Sequence, residues 1–216
     1  MTDPARYSAE DFRRRVASRL GPDPGLPVGD HSFNPDIADL LLGMERRPAA
    51  VLVPVVHREP EATLLLTERT AVLRSHAGQI SFPGGRIDPD DIGPEEAALR
   101  EAEEEIGLTA DFVETLCRAP DYLTGSGYHV APVIAIIRPG FRLRLNPAEV
   151  ADAFEVPLSF LMDPANHRTG SRIWNGVRRS FIEMPYGDRL IWGITANILR
   201  ILYERLYDDA EAGAGG

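Results

Sequence analysis

The segment GPEEAALREAEEEIGL, residues 93–108, constrains the fold most, because it predicts one helix with two chemically different sides. Pro94 stands near its start and Gly107 near its end, as is usual at helix boundaries. Apolar side chains recur on one side, which would face a core: Leu99, Ala102 and Ile106. Such a helix needs another layer of structure against its apolar side, so the rest of the chain must provide one.

The other side of this helix carries three glutamates at positions i, i+3 and i+4: Glu101, Glu104 and Glu105. At about 100° per residue they lie together, and their charges repel one another unless a cation sits among them. Mg²⁺ is commonly held by a few carboxylates, with water and substrate phosphates completing its coordination. On the helix alone a solvated acidic face is an equal alternative, because glutamate is a good helix former.

Strand-like segments on both sides of the helix predict the missing layer. The runs AAVLVPVVH (49–57) and ATLLLTER (62–69) read as adjacent strands joined by a short turn. Further strands are expected within 111–120, 129–137 and 177–184. A long amphipathic helix is expected over 189–206, in which Trp192 fits the helix pattern and should lie in the core. This mixture of strands and helices predicts an α/β or α+β fold with a mixed central sheet.

The N-terminal part is predicted to form a helical extension that packs on the core. Phe12, Val16 and Leu20 recur at helical spacing, and a connector rich in Pro and Gly follows. The run NPDIADLLLG predicts a short helix with Asn34 as its cap. The expected parts are therefore the extension at 1–47, a main domain at 48–207 and a disordered tail at 208–216.

Charge narrows the classes of function. The formal net charge is −10, with 33 acidic against 23 basic residues, which argues against binding to a nucleic-acid backbone. Every basic residue is arginine, so Schiff-base chemistry and a P-loop are excluded. Any recognition of phosphate therefore falls to arginine, backbone amides or a metal ion.

Cysteine and hydropathy bear on the compartment. The single cysteine, Cys117, excludes an internal disulfide and favours a reducing cytoplasm. No apolar run reaches the roughly 20 residues that span a bilayer, and the N-terminus lacks a signal-peptide pattern. We therefore expect a cytoplasmic protein with no membrane association.

A glycine pair precedes the acidic helix. In SFPGGRIDPDD, Gly84 and Gly85 would let the backbone approach a ligand closely, and a carbonyl there could itself bind a metal. Loop and helix together, GGRIDPDDIGPEEAALREAEEEIGL, resemble the Nudix box, G-x5-E-x7-R-E-U-x-E-E-x-G-U. The second half matches throughout, from Arg100 to Leu108. The first half departs twice: Asp91 stands where the pattern has Glu, and the spacing to Arg100 is one residue longer.

The resemblance implies a Nudix α/β/α sandwich around a central mixed sheet, and it covers roughly residues 48–206, so the main domain is expected to be a Nudix hydrolase domain. It implies Mg²⁺ or Mn²⁺ on the three helix glutamates and on the carbonyl of Gly85. Many family members also use an acid from a later loop as ligand or base. Glu149 is our candidate, with Glu155 or a plain surface acid as alternatives. The expected catalytic residues are Glu101, Glu104, Glu105, Arg100, which orients one of the glutamates, and Glu149.

Upstream of the box, LLLTERTAVLRSHAGQISFPGGRIDPDD resembles the extra signature of the coenzyme A diphosphatases within that family. The longer loop after the glycines belongs to the same signature. The implied reaction is hydrolysis of the diphosphate of coenzyme A or acyl-coenzyme A to 3′,5′-ADP and 4′-phosphopantetheine or its acyl form. The residues expected to bind substrate are Arg69, Arg74, His76 and Gln79. Ordinary surface roles for the arginines and a loop-positioning hydrogen bond for the histidine remain as alternatives.

Two other functions stay open. The first is a Nudix hydrolase acting on ADP-ribose, NADH or an oxidised nucleotide, since the box does not separate these substrates. The second is a Nudix domain that binds a nucleotide to regulate, although such domains usually lose a metal glutamate and this chain keeps all three. A calcium loop at DPDDIG is rejected, because its closing glutamate would fall at Leu99. The long C-terminal helix could support a homodimer.

Overall fold

The computed structural model describes residues 4–21, 25–71, 78–174 and 176–208. The α-helices in these ranges are α1 Ala9–Arg19, α2 Asp30–Phe33, α3 Ala38–Leu42, α4 Pro94–Ile106, α5 Leu158–Leu161 and α6 Ile194–Leu206. The strands are β1 Val28–Gly29, β2 Arg47–Val56, β3 Thr63–Arg69, β4 Ile80–Ser81, β5 Gly84–Arg86, β6 Val113–Arg118, β7 Tyr122–Leu123, β8 Tyr128–Ile137, β9 Val150–Pro157, β10 Arg168–Trp174, β11 Val177–Tyr186 and β12 Arg189–Trp192.

Within these ranges nine strands form one central sheet, whose middle is a long parallel pair, β8 beside β2. The order across the sheet is β1-β7-β8-β2-β3-β4, with β6 added to β8, β5 to β2 and β9 to β3. β2 and β8 are rich in Val, Ile and Ala and are buried along most of their length, as expected for strands covered on both faces. Apart from β8–β2 and β1–β7 the described pairs are antiparallel, so the sheet is mixed.

Helices cover both faces of this sheet. On one face α4 packs Ala98, Ala102 and Ile106 against β2 and β8. On the other face α1 and α6 bury Phe12 and Leu199, and burial of a side chain of this size contributes roughly 1.5–3 kcal/mol. A smaller antiparallel sheet, β10-β11-β12, packs beside α6. The predicted α/β sandwich with a mixed central sheet is confirmed.

The described part of the N-terminal segment packs on the core through α1. Phe12 and Val16 are buried on that helix, as their spacing predicts. Arg15 donates a hydrogen bond to the carbonyl of Leu206, 2.9 Å away, which joins α1 to the end of α6. The tail predicted at 208–216 lies outside the described residues except for its first residue.

Asn34 occupies the cap position before Pro35, as predicted, but its side chain makes no capping hydrogen bond there. Its side chain accepts a hydrogen bond from the N–H of Ser180 at 2.7 Å and donates one to the carbonyl of the same residue at 3.1 Å. A 3-10 turn at Pro35–Ile37 follows, and α3 begins only at Ala38. The amide of Asn34 therefore bonds a strand from a distant part of the chain and the carbonyl of Asp30 in α2, at 2.7 Å, and not the turn that follows it.

The C-terminal helix is shorter than predicted. Arg189–Trp192 pairs with β11 as a strand, and α6 begins at Ile194. Gly193 between them has φ 64°, a left-handed conformation that favours glycine and separates strand from helix. Trp192 was expected in the protein core as part of that helix. It is half-buried on β12, with its ring centre 5.3 Å from that of Phe181. None of the helices in the described ranges has the length and apolarity to span a bilayer.

Candidate metal and active site

Two glycines place α4 against the central sheet and its glycine loop. β5 pairs with β2, which brings Gly85 against α4, and a Cβ at this position would overlap the carboxylate of Glu101. At the other end Gly107 has φ 69° and donates its N–H to the carbonyl of Glu103 at 2.9 Å. The carboxylate of Glu101 therefore lies against the backbone of Gly85, in space that a side chain at this position would take.

Glu105 is the buried member of the acidic cluster, with only 3% of its side chain exposed. Its Oε2 accepts the N–H of Gly84 at 3.1 Å, and its Oε1 accepts from Nη1 of Arg69 at 3.4 Å. Burial raises the pKa of this carboxyl to about 7, although the Gly84 amide and Arg69 both favour the charged form. Glu101 and Glu149 raise it further through charge repulsion. The site thus holds a carboxylate that needs positive charge.

Arg100 forms hydrogen bonds with the other two glutamates of the cluster, Glu101 and Glu104. Its Nη1 donates to Oε1 of Glu101 at 3.1 Å and to both oxygens of Glu104 at 3.4 Å. Burial raises the pKa of Glu101, and Arg100 acts in the opposite direction. Glu104 is the accessible member of the cluster, with 57% of its side chain exposed.

Asp91, the departure from the Nudix box, is the partner that holds Arg100. The two side chains form a bidentate pair with both N–O distances at 3.0 Å, and Arg100 lowers the pKa of Asp91. Arg100 also donates to the carbonyl of Arg86 at 3.1 Å. The loop is one residue longer than the box, and its acid is shorter than glutamate. With both departures present, Asp91 still reaches Arg100 with good geometry. The early acid of the box marks this position in the sequence, but no local pattern predicts its pair with Arg100.

Of the two candidate acids from later in the chain, Glu149 lies at the cluster. Its charge raises the pKa of both Glu101 and Glu105. Asn146 donates its side-chain N–H to Oε1 of Glu149 at 3.1 Å and its backbone N–H to the carbonyl of Glu105 at 2.8 Å. Asn146 therefore fastens this loop to the end of α4, a role that no local pattern in the sequence reveals.

Glu155 is engaged elsewhere in the structure. Both its carboxylate oxygens accept hydrogen bonds from Arg58, at 2.7 and 3.0 Å, and the hydroxyl of Thr63 also donates to it. This arrangement joins β9 to the start of β3 and leaves the carboxylate fully paired.

The loop that carries the predicted substrate-binding residues leaves the core beside this cluster. Its stem is closed by two backbone hydrogen bonds, from the N–H of Arg69 to the carbonyl of Gln79 at 2.9 Å and from Gly78 to the carbonyl of Arg69 at 3.0 Å. The N–H of Thr70 reaches the carbonyl of Glu149 at 2.9 Å. The other two residues predicted to bind substrate, Arg74 and His76, lie outside the described residues.

The donor set suits a hard divalent cation. Carboxylate and carbonyl oxygens are the ligands that Mg²⁺ and Mn²⁺ accept, and the absent side chain of Gly85 leaves its backbone open to the cluster. In the described part of the chain no three acidic, histidine or cysteine side chains converge on one point. In this structure Arg69 pairs with Glu105 and Arg100 pairs with Glu101.

Comparisons with known proteins agree with this geometry. Residues 46–172 match the family model described as the NUDIX domain. The protein called Uncharacterized Nudix hydrolase NudL from Photorhabdus laumondii is 41% identical over 199 residues, which cover 92% of this chain and 98% of that protein. A protein of the same name from Yersinia pestis is 40% identical over 160 residues, covering 74% of this chain and 80% of that protein.

Solved structures align less closely. A Caenorhabditis elegans (C. elegans) Ap4A hydrolase binary complex is 22% identical with a TM-score of 0.45, covering 51% of this chain and 80% of that chain. A MutT/nudix family protein from Enterococcus faecalis is 14% identical with a TM-score of 0.45, covering 84% and 73%. On the family match and the close relatives, this chain belongs to the Nudix family and is a Nudix hydrolase, an enzyme for nucleoside diphosphate derivatives.

Proposed function

We propose that this protein hydrolyses the diphosphate of coenzyme A or acyl-coenzyme A. The products would be 3′,5′-ADP and 4′-phosphopantetheine or its acyl form. The observation that carries the proposal is the stem of the signature loop, which stands at the acidic cluster through Arg69 and Glu105. A loop that resembles the coenzyme A diphosphatase signature therefore begins beside the groups that would cleave the diphosphate. The single cysteine supports a cytoplasmic setting, where such substrates are found.

The residues that would hold Mg²⁺ or Mn²⁺ are Glu101, Glu104, Glu105 and the carbonyl of Gly85. When bound, such an ion neutralises phosphate charge and lowers the pKa of a coordinated water. Asp91 fixes Arg100, and Arg100 in turn sets the rotamers of the glutamates beside it.

The remaining chemistry falls to other side chains of the site. Glu149 would accept a proton from the attacking water, which adds to one phosphorus as the bridging P–O bond breaks. Arg69 holds Glu105 in the structure and would turn to an oxygen of the diphosphate when substrate binds, because a guanidinium pairs well with phosphate. In both roles a charged side chain would face a group of opposite charge, the proton of the water for Glu149 and an oxygen of the diphosphate for Arg69.

A hydrolysis panel tests the proposal. Purified protein with Mg²⁺ or Mn²⁺ would be given coenzyme A, acetyl-coenzyme A, ADP-ribose, NADH and a nucleoside triphosphate, with products identified by mass. 3′-Dephospho-coenzyme A is the matched control, because it differs from coenzyme A only in the 3′-phosphate. We expect the highest kcat/KM for coenzyme A substrates, release of 3′,5′-ADP, and a lower kcat/KM for the dephospho form.

Other outcomes separate the alternatives. Preference for ADP-ribose or NADH would be consistent with the metal site and would contradict coenzyme A as the substrate. Equal rates with coenzyme A and its dephospho form would show that the enzyme does not recognise the 3′-phosphate. Tight nucleotide binding without turnover of any compound would favour the regulatory function.

A further inference from the structure

Two acids lie opposite each other on β3 and β9, beside the acidic cluster. Glu68 and Asp152 are direct partners in this antiparallel pair of strands. Like charges in that position repel one another and weaken the pairing of the strands. The next residue along β3 is Arg69, whose side chain contacts Glu105. A repulsive pair therefore stands next to a candidate site residue, unless a cation lies between the two acids.

Arg189, the first residue of β12, is such a cation. Its Nη1 donates to Oε2 of Glu68 at 3.1 Å, and its Nη2 donates to Oδ2 of Asp152 at 2.5 Å. The guanidinium lies over the ring of Phe154 on β9, with Cζ 3.9 Å from the ring centroid. One planar group thus bridges both strands and rests on an aromatic ring, which the ammonium of a lysine would not reproduce.

The small sheet holds Arg189 in place. Ile191, two residues further along β12, is fully buried, and so is Met184, its partner on β11. Arg189 itself pairs with Tyr186 across the same hairpin, and only 27% of its side chain is exposed. The hairpin therefore presents a guanidinium of fixed position to β3 and β9.

β9 carries one extra residue next to the bridged acids. The register shifts between Glu68 and Arg69, so that Ala151 is the extra residue of β9. A bulge of this kind bends the strand and changes the direction of the residues beside it. Glu149 precedes the bulge, and its carbonyl accepts the N–H of Thr70 at 2.9 Å. The guanidinium bridge therefore fixes one side of the bulge, and the candidate base lies on the other side.

We propose that Arg189 is a positioning residue for hydrolysis and acts through Arg69 and Glu149. By neutralising the two opposed acids, it keeps the ends of β3 and β9 paired at the bulge. That pairing holds Arg69 beside Glu105 and Glu149 beside the acidic cluster. The inference rests on the proposed roles of Arg69 and Glu149, and it is independent of which diphosphate compound is the substrate.

A second guanidinium on the same strands gives a matched comparison. Arg58 forms a bidentate pair with Glu155 on β9, at 2.7 and 3.0 Å. Its side chain is 37% exposed, close to the value for Arg189. Glu155 lies opposite Leu65, near the other end of β3 from Arg69. Loss of this pair should weaken the same two strands without moving the residues of the site.

Arg189→Met and Arg58→Met, compared in the full chain, test the inference. Each would be assayed with whichever compound of the hydrolysis panel the native protein cleaves fastest. Arg189→Met should lower kcat/KM by about 10-fold or more and raise KM, because a displaced Arg69 no longer meets the diphosphate. Arg58→Met should keep both constants. A loss of folded protein alone would lower the apparent kcat and leave KM unchanged, which separates positioning from stability.

Neutralising the two acids should rescue the variant. The triple variant Glu68→Gln, Asp152→Asn and Arg189→Met has no like charges opposed at the strand ends. It should therefore recover most of the native kcat/KM. Arg189→Lys keeps the positive charge and should lose less than Arg189→Met. If the triple variant recovered nothing, Arg189 would act other than by holding the two acids, and the proposal would be overturned.

Amide hydrogen exchange examines the strand ends without relying on turnover. The N–H of Thr70, bonded to the carbonyl of Glu149, should exchange faster in Arg189→Met than in the native protein and at the native rate in Arg58→Met. Unchanged exchange in Arg189→Met, or an equal loss of kcat/KM in both variants, would overturn the proposal. A native protein that cleaves nothing in the panel would contradict the proposed function, and exchange at Thr70 would still decide whether Arg189 holds the strand ends.

Discussion

The two faces of the central sheet bury polar groups in opposite ways. On the α6 face Asn197 and Tyr122 are fully buried, and each has fixed partners within the chain. On the α4 face Glu105 is just as buried, yet its pKa is raised to about 7 and its neighbours are acids. The buried polar groups of the α6 face therefore stabilise the fold. The α4 face keeps a carboxylate whose charge the folded chain does not fully compensate.

The network on the α6 face is closed. The hydroxyl of Tyr122 donates to Oδ1 of Asp30 at 2.5 Å and accepts from the side chain of Asn197 at 2.7 Å. Oδ1 of Asn197 in turn accepts the N–H of Ile182 at 2.8 Å. Burial raises the pKa of Tyr122, so this hydroxyl remains a donor. The network ties β7, β11 and α6 to the N-terminal segment and needs no further ligand.

The largest expected effect comes from the exposed acid of the α4 face. Glu104→Gln removes ligand charge where 57% of the side chain is exposed, so the fold should be unaffected. Turnover of coenzyme A should fall by about 1000-fold or more, because stabilisation by the metal is worth several kcal/mol. Glu103→Gln, at the exposed neighbouring residue, is the control and should keep native turnover. Near-normal turnover of Glu104→Gln at saturating Mg²⁺ would show that the role of Glu104 is wrong.

A change on the α6 face should have the reverse outcome. Asn197→Ala leaves the N–H of Ile182 without its partner and removes the donor to the hydroxyl of Tyr122, which keeps Asp30 as its acceptor. The change should lower the free energy of unfolding by about 2–4 kcal/mol. Urea unfolding measures this loss, and kcat per folded molecule should stay unchanged. Arg205→Ala on the exposed side of α6 should change neither quantity. If Asn197→Ala lost turnover while keeping its stability, the two faces would not be separable as described.

The pH dependence of stability should show the cost of burying Glu105. Below pH 4.5, its usual pKa, the group is protonated in both states and contributes nothing. Between there and about pH 7 the unfolded chain ionises first, so metal-free protein should lose stability as pH rises, by up to about 3 kcal/mol in total. Glu105→Gln should lack this decline and be more stable than the native protein at pH 8. Parallel stability curves for the two proteins would contradict the raised pKa.

The bidentate pair on the α4 face should have a smaller effect. Arg100→Lys keeps the positive charge but cannot form two parallel hydrogen bonds with Asp91. Turnover should fall by about 10- to 100-fold, as is usual when a residue that orients metal ligands is changed. Asp91→Asn should lower turnover less, and the double variant should lose less than the sum of the two. Additive losses would mean that Asp91 acts independently of Arg100.

Local patterns were enough to predict the elements that bear and surround the acidic cluster. β2, β3 and α4 lie within two residues of their predicted bounds, because each has its own periodicity and its own boundary residues. The three helix glutamates were expected together on one side of α4 for the same reason, since this follows from their spacing alone. The fold class followed from the order of these elements.

Contacts between distant segments determine the features that local patterns did not predict. Glu105 is buried because the amide of Gly84 and the guanidinium of Arg69 reach it from 21 and 36 residues away. Arg189–Trp192 is a strand because β11 pairs with it, although its own pattern continues that of α6. The bonds of Asn34 to β11 likewise override its local preference for capping a helix. No pattern within a single segment contains such information.

The most direct test of the central claim is hydrolysis of coenzyme A by metal-free protein before and after a divalent cation is restored. The chain would be freed of metal with a chelator, and product would be followed by mass as Mg²⁺ or Mn²⁺ is added back. The account predicts no 3′,5′-ADP without metal and a rate that rises and saturates with the added ion. Equal hydrolysis with and without metal would contradict the claim that the α4 face is a metal-dependent active site.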